Sequence, residues 1–312
     1  MNTMQDAQQR RGATEHQEDR PMADAALKIR GLEKQFRAFK LGPLDITVPM
    51  GAIYGLVGPN GAGKTTTIDL VMGMGRKDAG TIEVFGMDHL EQEVAVKKRI
   101  GYTGPDLSFH AWGTVGLALD FVRDFYADWD PAYCESLLKR LKLDRDAAIS
   151  ELSFGARTKL GVVFALAHHP DLLLLDEPLA GLDSVSKMEV FTELLDAVQE
   201  ETRTVLISSH NIDDIERFAD HIGIIHDGRM LVEGPTTELL ERFCMVDCAV
   251  PEGVSPRLWP GARIQRHRGD RWRILLDKQT GRPEDLAAHG ITDIAAVPVT
   301  LEELLVALVR EE

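Results

Sequence analysis

The alternation of apolar and polar residues from Ala25 onward predicts half-buried β-strands at the start of the folded region. The alternating apolar positions are Leu27, Ile29, Leu32, Leu44, Ile46 and Val48. A continuous apolar run at 52–57 then ends at Gly58, and residues 64–74 are compatible with a helix. The predicted order is therefore an antiparallel layer, a buried strand, a glycine-rich loop and a helix.

Apolar residues at helical spacing occupy 112–146 and predict a small helical insertion. Farther along, a helix ending at Ala167, a strand at 172–176, a helix at 185–199 and a strand at 204–208 follow one another. Such alternation of helices and strands is typical of a parallel sheet with helices on its faces.

The pattern changes after Met245, where three prolines lie close together and precede a predicted strand at 271–276 and a final helix at 301–310. We predict an α/β fold with three regions. The regions are a disordered N-terminal tail at 1–24, a principal domain at 25–244 with a helical subdomain at about 105–165, and a small C-terminal α+β accessory domain at 245–312. The tail is polar and lacks the apolar segment of a signal peptide.

Charge and composition narrow the class of partner. The formal net charge of −15 repels polyanions, so nucleic acid is not expected as the main partner. The three cysteines are too few for a disulfide scaffold and favour a reducing cytosol. Cys244 and Cys248 have helical spacing and form either a metal clip or, as we expect, packing residues. No apolar stretch reaches the ~18 residues that span a bilayer, so a membrane role requires a partner.

The glycine-rich loop matches the phosphate-binding pattern G-x-x-x-x-G-K-[ST]. Its residues are Gly58, Pro59, Asn60, Gly61, Ala62, Gly63, Lys64 and Thr65, and Thr66 follows them. The glycines allow backbone N–H groups to surround phosphate oxygens, Lys64 reaches the β- and γ-phosphates, and the Thr65 hydroxyl is a ligand for Mg²⁺. An ordinary glycine turn is a poor alternative because the loop lies between a strand and a helix.

Two acids, Asp176 and Glu177, follow a run of four leucines that requires burial. At the carboxyl end of a parallel strand, Asp176 is placed to support Mg²⁺ and Glu177 to orient or deprotonate the attacking water. Alone, this pattern also fits a strand that ends in an acidic loop. Together with the phosphate loop, it predicts a P-loop NTPase core that binds ATP and Mg²⁺.

The segment Leu152-Ser153-Phe154-Gly155-Ala156 resembles the L-S-G-G-Q signature of the ATP-binding subunits of ABC transporters. Phe154 and Ala156 depart from that signature. Ser153 is suited to cap the following helix, whose free N–H groups attract an anion, and a simple helix cap is the alternative. The resemblance implies that Ser153 and Gly155 contact the γ-phosphate of ATP held by an opposite subunit.

The same family resemblance assigns roles to three further residues. Phe36 lies where the family has an aromatic residue that stacks on adenine, although a core phenylalanine is the alternative. Asp183 belongs to a segment that resembles the D-loop at the dimer interface. His210 resembles the switch histidine that contacts the γ-phosphate, whereas a lone histidine at a strand end is more often structural.

One family feature is missing. The family has a glutamine after the strand that reads Ile-Gly-Tyr, but here Tyr102 is followed by Thr103, Gly104, Pro105 and Asp106. Either Asp106 serves as the metal ligand from the neighbouring position or water replaces the amide.

The resemblance implies an ATP-hydrolysing motor that forms a homodimer, or a heterodimer with a paralogue. The same resemblance implies that the membrane-spanning subunits are encoded separately. It also implies that this chain lies on the cytoplasmic face of the membrane. Residues 125–130 and 301–309 are similar to the bacterial antibiotic-type exporter branch, although amphipathic helices explain both segments as well. The alternatives are a soluble ABC ATPase acting on ribosomes or DNA, and a weakly hydrolysing regulatory subunit, suggested by Pro105, Phe154 and Ala156.

Overall fold

The computed structural model describes residues 25–105, 112–201, 203–254, 259 and 261–309. The predicted tail at 1–24 and the candidate metal ligand Asp106 lie outside these ranges, so the expectations for them stay predictions.

The first half of the chain contributes an antiparallel sheet. Strands β1 (Ala25–Gln35) and β2 (Lys40–Pro49) precede β3 (Ile53–Val57), and β4 (Ala79–Val84) and β5 (Met87–Asp88) follow it. The order in the antiparallel sheet is β2-β1-β4-β5. Leu27, Ile29 and Leu32 are buried on the face predicted from their alternation and share a core with Leu56 of β3.

The central sheet has six strands. After β3, its members are β6 (Ile100–Thr103), β7 (Leu172–Asp176), β8 (Thr204–Ser209), β9 (His221–His226) and β10 (Arg229–Pro235), in the order β10-β9-β3-β8-β7-β6. All neighbours are parallel except β9 and β10. Because β3, β8 and β7 are adjacent, the loops that follow them meet at one edge of the sheet.

Six helices accompany these sheets. They are α1 (Lys64–Val71), α2 (Glu93–Lys98), α3 (Val115–Arg123), α4 (Pro131–Arg140), α5 (Phe154–Leu166) and α6 (Ser184–Glu201). Helix α1 ends before the predicted residue 74 because Gly73, at φ 70°, turns the chain out of the helix. Helices α3 and α4 form the predicted helical insertion, and Thr114 and Asp130 cap their N-termini.

The C-terminal region is an α+β unit. It comprises α7 (Thr236–Arg242), β11 (Phe243–Ala249), β12 (Ala262–Arg268), β13 (Arg271–Asp277), β14 (Thr292–Pro298) and α8 (Leu301–Val309). Its antiparallel strands have the order β12-β13-β11-β14. The helical reading of the spacing of Cys244 and Cys248 is wrong, because both lie in β11, where residues four apart share one face and here share a buried cluster.

Helix α8 returns to the principal domain. Leu301 and Leu304 are buried in the same core cluster as Ile212 and Ile215, which lie just beyond β8. The Leu301 N–H donates to Glu216 Oε1 at 3.4 Å. The predicted fold class is confirmed: a parallel sheet with an antiparallel layer, a helical insertion and a C-terminal α+β appendage.

Candidate active site

The phosphate-loop residues 58–63 connect β3 directly to α1. Gly61 and Gly63 have φ values of 80° and 110°, which favour glycine. A Cβ on Gly58 would lie 2.1 Å from the Ile225 carbonyl oxygen, so only glycine fits there. The Ala62 N–H donates to the Pro59 carbonyl at 3.2 Å, which curls the loop over the N-terminus of α1.

Lys64 is buried beneath this loop. Its ammonium donates to the carbonyl oxygens of Gly58 at 2.7 Å and Pro59 at 3.2 Å. The same Nζ lies 3.2 Å from Glu177 Oε1. The lysine predicted to reach phosphate is therefore next to one of the two predicted acids.

Glu177 joins Lys64 to His210. Its second oxygen, Oε2, lies 2.8 Å from His210 Nδ1, and its Oε1 faces Lys64. The residue has φ 50°, a left-handed conformation that is uncommon for a non-glycine residue and concentrates at functional sites. The end of β7 therefore places one carboxylate between a cation and a histidine.

Asp176 is 1% exposed at the end of β7. Its Oδ1 accepts from the Ser208 hydroxyl at 2.5 Å, whereas its buried Oδ2 has no hydrogen-bond partner among the residues that the structure describes. Burial raises the pKa of this carboxyl, and the hydroxyls of Ser208 and Thr65 act in the opposite direction.

These oxygens fit a magnesium ion. A buried carboxylate oxygen without a partner requires an explanation, and carboxylate and hydroxyl oxygens are suitable ligands for Mg²⁺. Asp176 Oδ2, with the Thr65 side chain beside it, provides such a set. In the described parts of the chain, no group of three or more His, Cys, Asp or Glu side chains forms a metal cluster.

Two contacts were missed from the sequence. The first is the Ser208 hydroxyl, which donates to Asp176 Oδ1 and accepts the Glu177 N–H at 2.9 Å. The Phe39 ring lies 3.1 Å from where a Cβ on Gly63 would be, so it supports the phosphate loop. The Ser-Ser-His run was a signal for Ser208, whereas nothing in the sequence distinguished Phe39.

Phe36 is not a core residue. It is 43% exposed in the loop between β1 and β2, and its ring centroid is 6.2 Å from that of Phe39. The Phe36 ring is therefore exposed next to Phe39, and the Lys34 ammonium lies 5.8 Å from its centroid.

The signature residues lie in a second region. The Ser153 hydroxyl caps α5 by accepting the Ala156 N–H at 3.1 Å, as predicted. Phe154 is 51% exposed and packs against Gly181. A Cβ on Gly155 would lie 3.3 Å from Leu182 Cδ2, and Asp183 caps α6 by accepting the N–H groups of Val185 and Ser186, both at 3.0 Å.

The segment that lacks the glutamine borders Asp176. A Cβ on Gly104 would lie 3.5 Å from the Asp176 Cβ. Because Gly104 has no side chain and Pro105 has no donor or ligand atom in its ring, neither residue replaces the missing amide.

A phosphate loop between a buried strand and a helix, with an acid at the end of a nearby parallel strand, defines the P-loop NTPase class. The pattern of the ABC transporter family matches residues 41–180. The chain is 34% identical to the bacitracin transport ATP-binding protein BcrA of Bacillus licheniformis, over 69% of this chain and 72% of that protein. It is 35% identical to the daunorubicin/doxorubicin resistance ATP-binding protein DrrA of Streptomyces peucetius, over 69% of this chain and 66% of that protein.

Among solved structures, an ATP-binding subunit of an ABC transporter has the same fold, with a TM-score of 0.64 at 24% identity over 69% of this chain and 92% of that chain. The chain belongs to the ABC transporter family, in which it is an ATP-binding subunit and an ATPase. Within the ranges described, no helix has both the length and the apolar character that crossing a membrane requires.

Proposed function

We propose that this transporter ATPase binds MgATP at the strand ends and hydrolyses it with Glu177 and His210. The main support is that one carboxylate contacts both Lys64 and His210. In this proposal, the phosphate loop of residues 58–63 wraps the phosphates with backbone N–H groups from positions other than Pro59, which has none, and from Thr66, and Phe36 stacks on adenine. Thr65 and Asp176 hold Mg²⁺, and Asp106 is a further candidate ligand. The ion neutralises charge that develops on the phosphate oxygens.

Lys64 changes partners when ATP binds. Its ammonium gives up the carbonyls of Gly58 and Pro59 and the carboxylate of Glu177 in exchange for phosphate oxygens. The triphosphate carries several negative charges, so the ammonium is attracted more strongly to its oxygens than to two neutral carbonyls and one carboxylate, which favours the exchange. Glu177 Oε1 is then free to accept a proton from the attacking water, while His210 holds Oε2.

The signature region acts on a second nucleotide. Ser153 and Asp183 cap the N-termini of their own helices, and Gly155 lies in the first turn of α5. We propose that these residues face ATP bound by a second ATPase subunit, either another copy of this chain or a paralogue. The N-terminus of α5 is suited to an anion because its first N–H groups and its dipole favour negative charge.

The transporter also includes separate membrane-spanning subunits, and this chain lies on their cytoplasmic side. An apolar stripe supports a protein partner: Leu117, Phe121 and Phe125 are exposed at four-residue spacing along and just beyond α3. The Phe121 and Phe125 rings pack edge to face at 5.2 Å. Since relatives are named for bacitracin transport, Nod factor export and daunorubicin/doxorubicin resistance, we propose export of a small molecule.

The nucleotide assignment is tested by equilibrium binding of labelled ATP to the parent and to Lys64→Ala. Losing one or two charge-assisted hydrogen bonds is expected to weaken binding about 10- to 100-fold. Lys97→Ala is the matched control, because Lys97 pairs with Glu93 at 2.6 Å on α2, away from the phosphate loop. Equal ATP affinity in the parent and Lys64→Ala would contradict the proposal.

A weakly hydrolysing regulatory subunit is the second candidate. It is favoured by Phe154, which replaces a glycine of the family signature. The Phe154 ring packs against Gly181. ATP binding without turnover, even when the membrane subunits are present, would support this candidate in place of the motor.

A further inference from the structure

Ser208 occupies a special position in β8. It is 0% exposed and directly opposite Asp176 in the parallel pairing of β7 and β8. Its hydroxyl donates to Asp176 Oδ1 and accepts the N–H of Glu177 at 2.9 Å. One side chain therefore contacts both acids of the candidate site.

The packing around Ser208 does not require a hydroxyl group. The preceding residues, Val205, Leu206 and Ile207, are apolar and buried, as a central strand requires. Burying a hydroxyl is unfavourable unless it forms hydrogen bonds, and both bonds of Ser208 go to the acidic pair. An apolar residue would serve the strand equally well but would leave the Glu177 N–H without this acceptor.

We propose that Ser208 is a positioning residue that orients the metal ligand and the water-activating carboxylate together. The inference rests on the proposed function of Asp176 and Glu177. Since the hydroxyl proton engages Asp176 Oδ1, the other oxygen, Oδ2, is held toward the metal position. The Ser208 hydroxyl oxygen also accepts the Glu177 N–H and so stabilises the left-handed backbone of Glu177. That backbone conformation directs the Glu177 carboxylate to Lys64 and His210.

A positioning role makes a prediction that a purely structural role does not. ATP binding without metal depends on the phosphate loop and Lys64, and in the described parts of the chain neither forms a hydrogen bond with the Ser208 hydroxyl. The additional affinity conferred by Mg²⁺ depends on the orientation of Asp176, and kcat depends on that of Glu177. Loss of the hydroxyl should therefore reduce both of these while leaving metal-free ATP binding unchanged.

The test compares the parent, Ser208→Ala and Thr204→Val. Thr204 is a matched control, because its buried hydroxyl accepts the Gly51 N–H at 2.9 Å at the opposite end of the same strand. For each protein, the dissociation constant of labelled ATP is measured with Mg²⁺ and with EDTA, together with kcat and the thermal unfolding midpoint. Ser208→Cys keeps a single γ atom, although a larger one, while weakening the donor, and it is used if Ser208→Ala yields little folded protein.

We expect Ser208→Ala to lose roughly 10- to 100-fold in Mg²⁺-dependent affinity and in kcat, as for other residues that orient a metal ligand. Thr204→Val should keep the Mg²⁺-dependent ATP affinity and kcat of the parent, even if its unfolding midpoint falls as much as that of Ser208→Ala. If Ser208→Ala matches Thr204→Val in both, the positioning role is overturned while the proposed function stands. If the parent itself gains no ATP affinity from Mg²⁺, the proposed metal site fails first, and the inference fails with it.

Discussion

The sheet brings four side chains together at the carboxyl ends of β3, β7 and β8: Lys64, Asp176, Glu177 and His210. Of these, Glu177 contacts the lysine and the histidine directly. In the signature region, Ser153 and Asp183 instead cap their own helices. The first region can bind phosphate within one chain. The second presents helix N-termini, which in the proposed function face a phosphate bound by another subunit, so under that proposal each chain carries halves of two different sites.

Gly58→Ala is expected to have the largest effect on the strand-end region. The added Cβ would lie 2.1 Å from the Ile225 carbonyl oxygen, so the loop must move. A displacement of about 1 Å in a preorganised site costs on the order of 100-fold, and we expect such a loss in ATP affinity. Gly86→Ala is the control, since Gly86 also has a positive φ, 75°, but nothing lies within 4 Å of its added Cβ. Equal ATP affinity in the two variants would show that the loop tolerates displacement.

Ser153→Asp separates the two regions. Aspartate caps helices as well as serine, so α5 should stay folded, but its charge opposes a phosphate at the helix N-terminus. We expect turnover of the assembled ATPase to fall about tenfold or more, with unchanged ATP affinity of the isolated chain. Ser153→Asn, a neutral cap, is the control and should retain more activity. If aspartate and asparagine have the same turnover, the signature does not face phosphate.

Mixing two impaired variants sharpens the comparison. Lys64→Ala removes one half-site and Ser153→Asp the other, so a mixed homodimer contains one intact pair of regions. Random assembly of equal amounts leaves about a quarter of the sites intact, and we expect about that fraction of the parent ATPase rate. A mixture no more active than the average of its separate components would exclude completion of the site by a second copy and would favour a paralogue.

Most of the fold was predictable because its strands carry strong patterns. Leu172 to Leu175 are all buried in β7, and Leu27, Ile29 and Leu32 face the core as their alternation predicts. The return of α8 to Ile212 and Ile215 was not predictable, because such packing joins residues far apart in the chain. The expectation that Cys244 and Cys248 are packing residues is confirmed by their shared buried cluster, but the helical interpretation of their spacing is wrong, since a separation of four residues places side chains on one face of either a helix or a strand.

The site was predictable where the chemistry lies in contiguous residues, as in the phosphate loop and the acidic pair. Contacts across strands were not. The Ser208 hydroxyl reaches Asp176 only because β7 and β8 pair in one register, and the φ of 50° at Glu177 is a property of the folded backbone. The exposed Phe36 likewise required the structure to separate it from a core residue.

The most direct test of the central claim is the rate of Mg²⁺-dependent ATP hydrolysis by Glu177→Gln beside the parent. Glutamine retains the shape of the side chain but cannot accept a proton, so we expect turnover to fall about 100-fold or more while labelled ATP still binds. Glu91→Gln, at an exposed position, controls for loss of a carboxylate. If Glu177→Gln turns over ATP as fast as the parent and Glu91→Gln, the carboxylate between Lys64 and His210 is not the base, and the account is wrong.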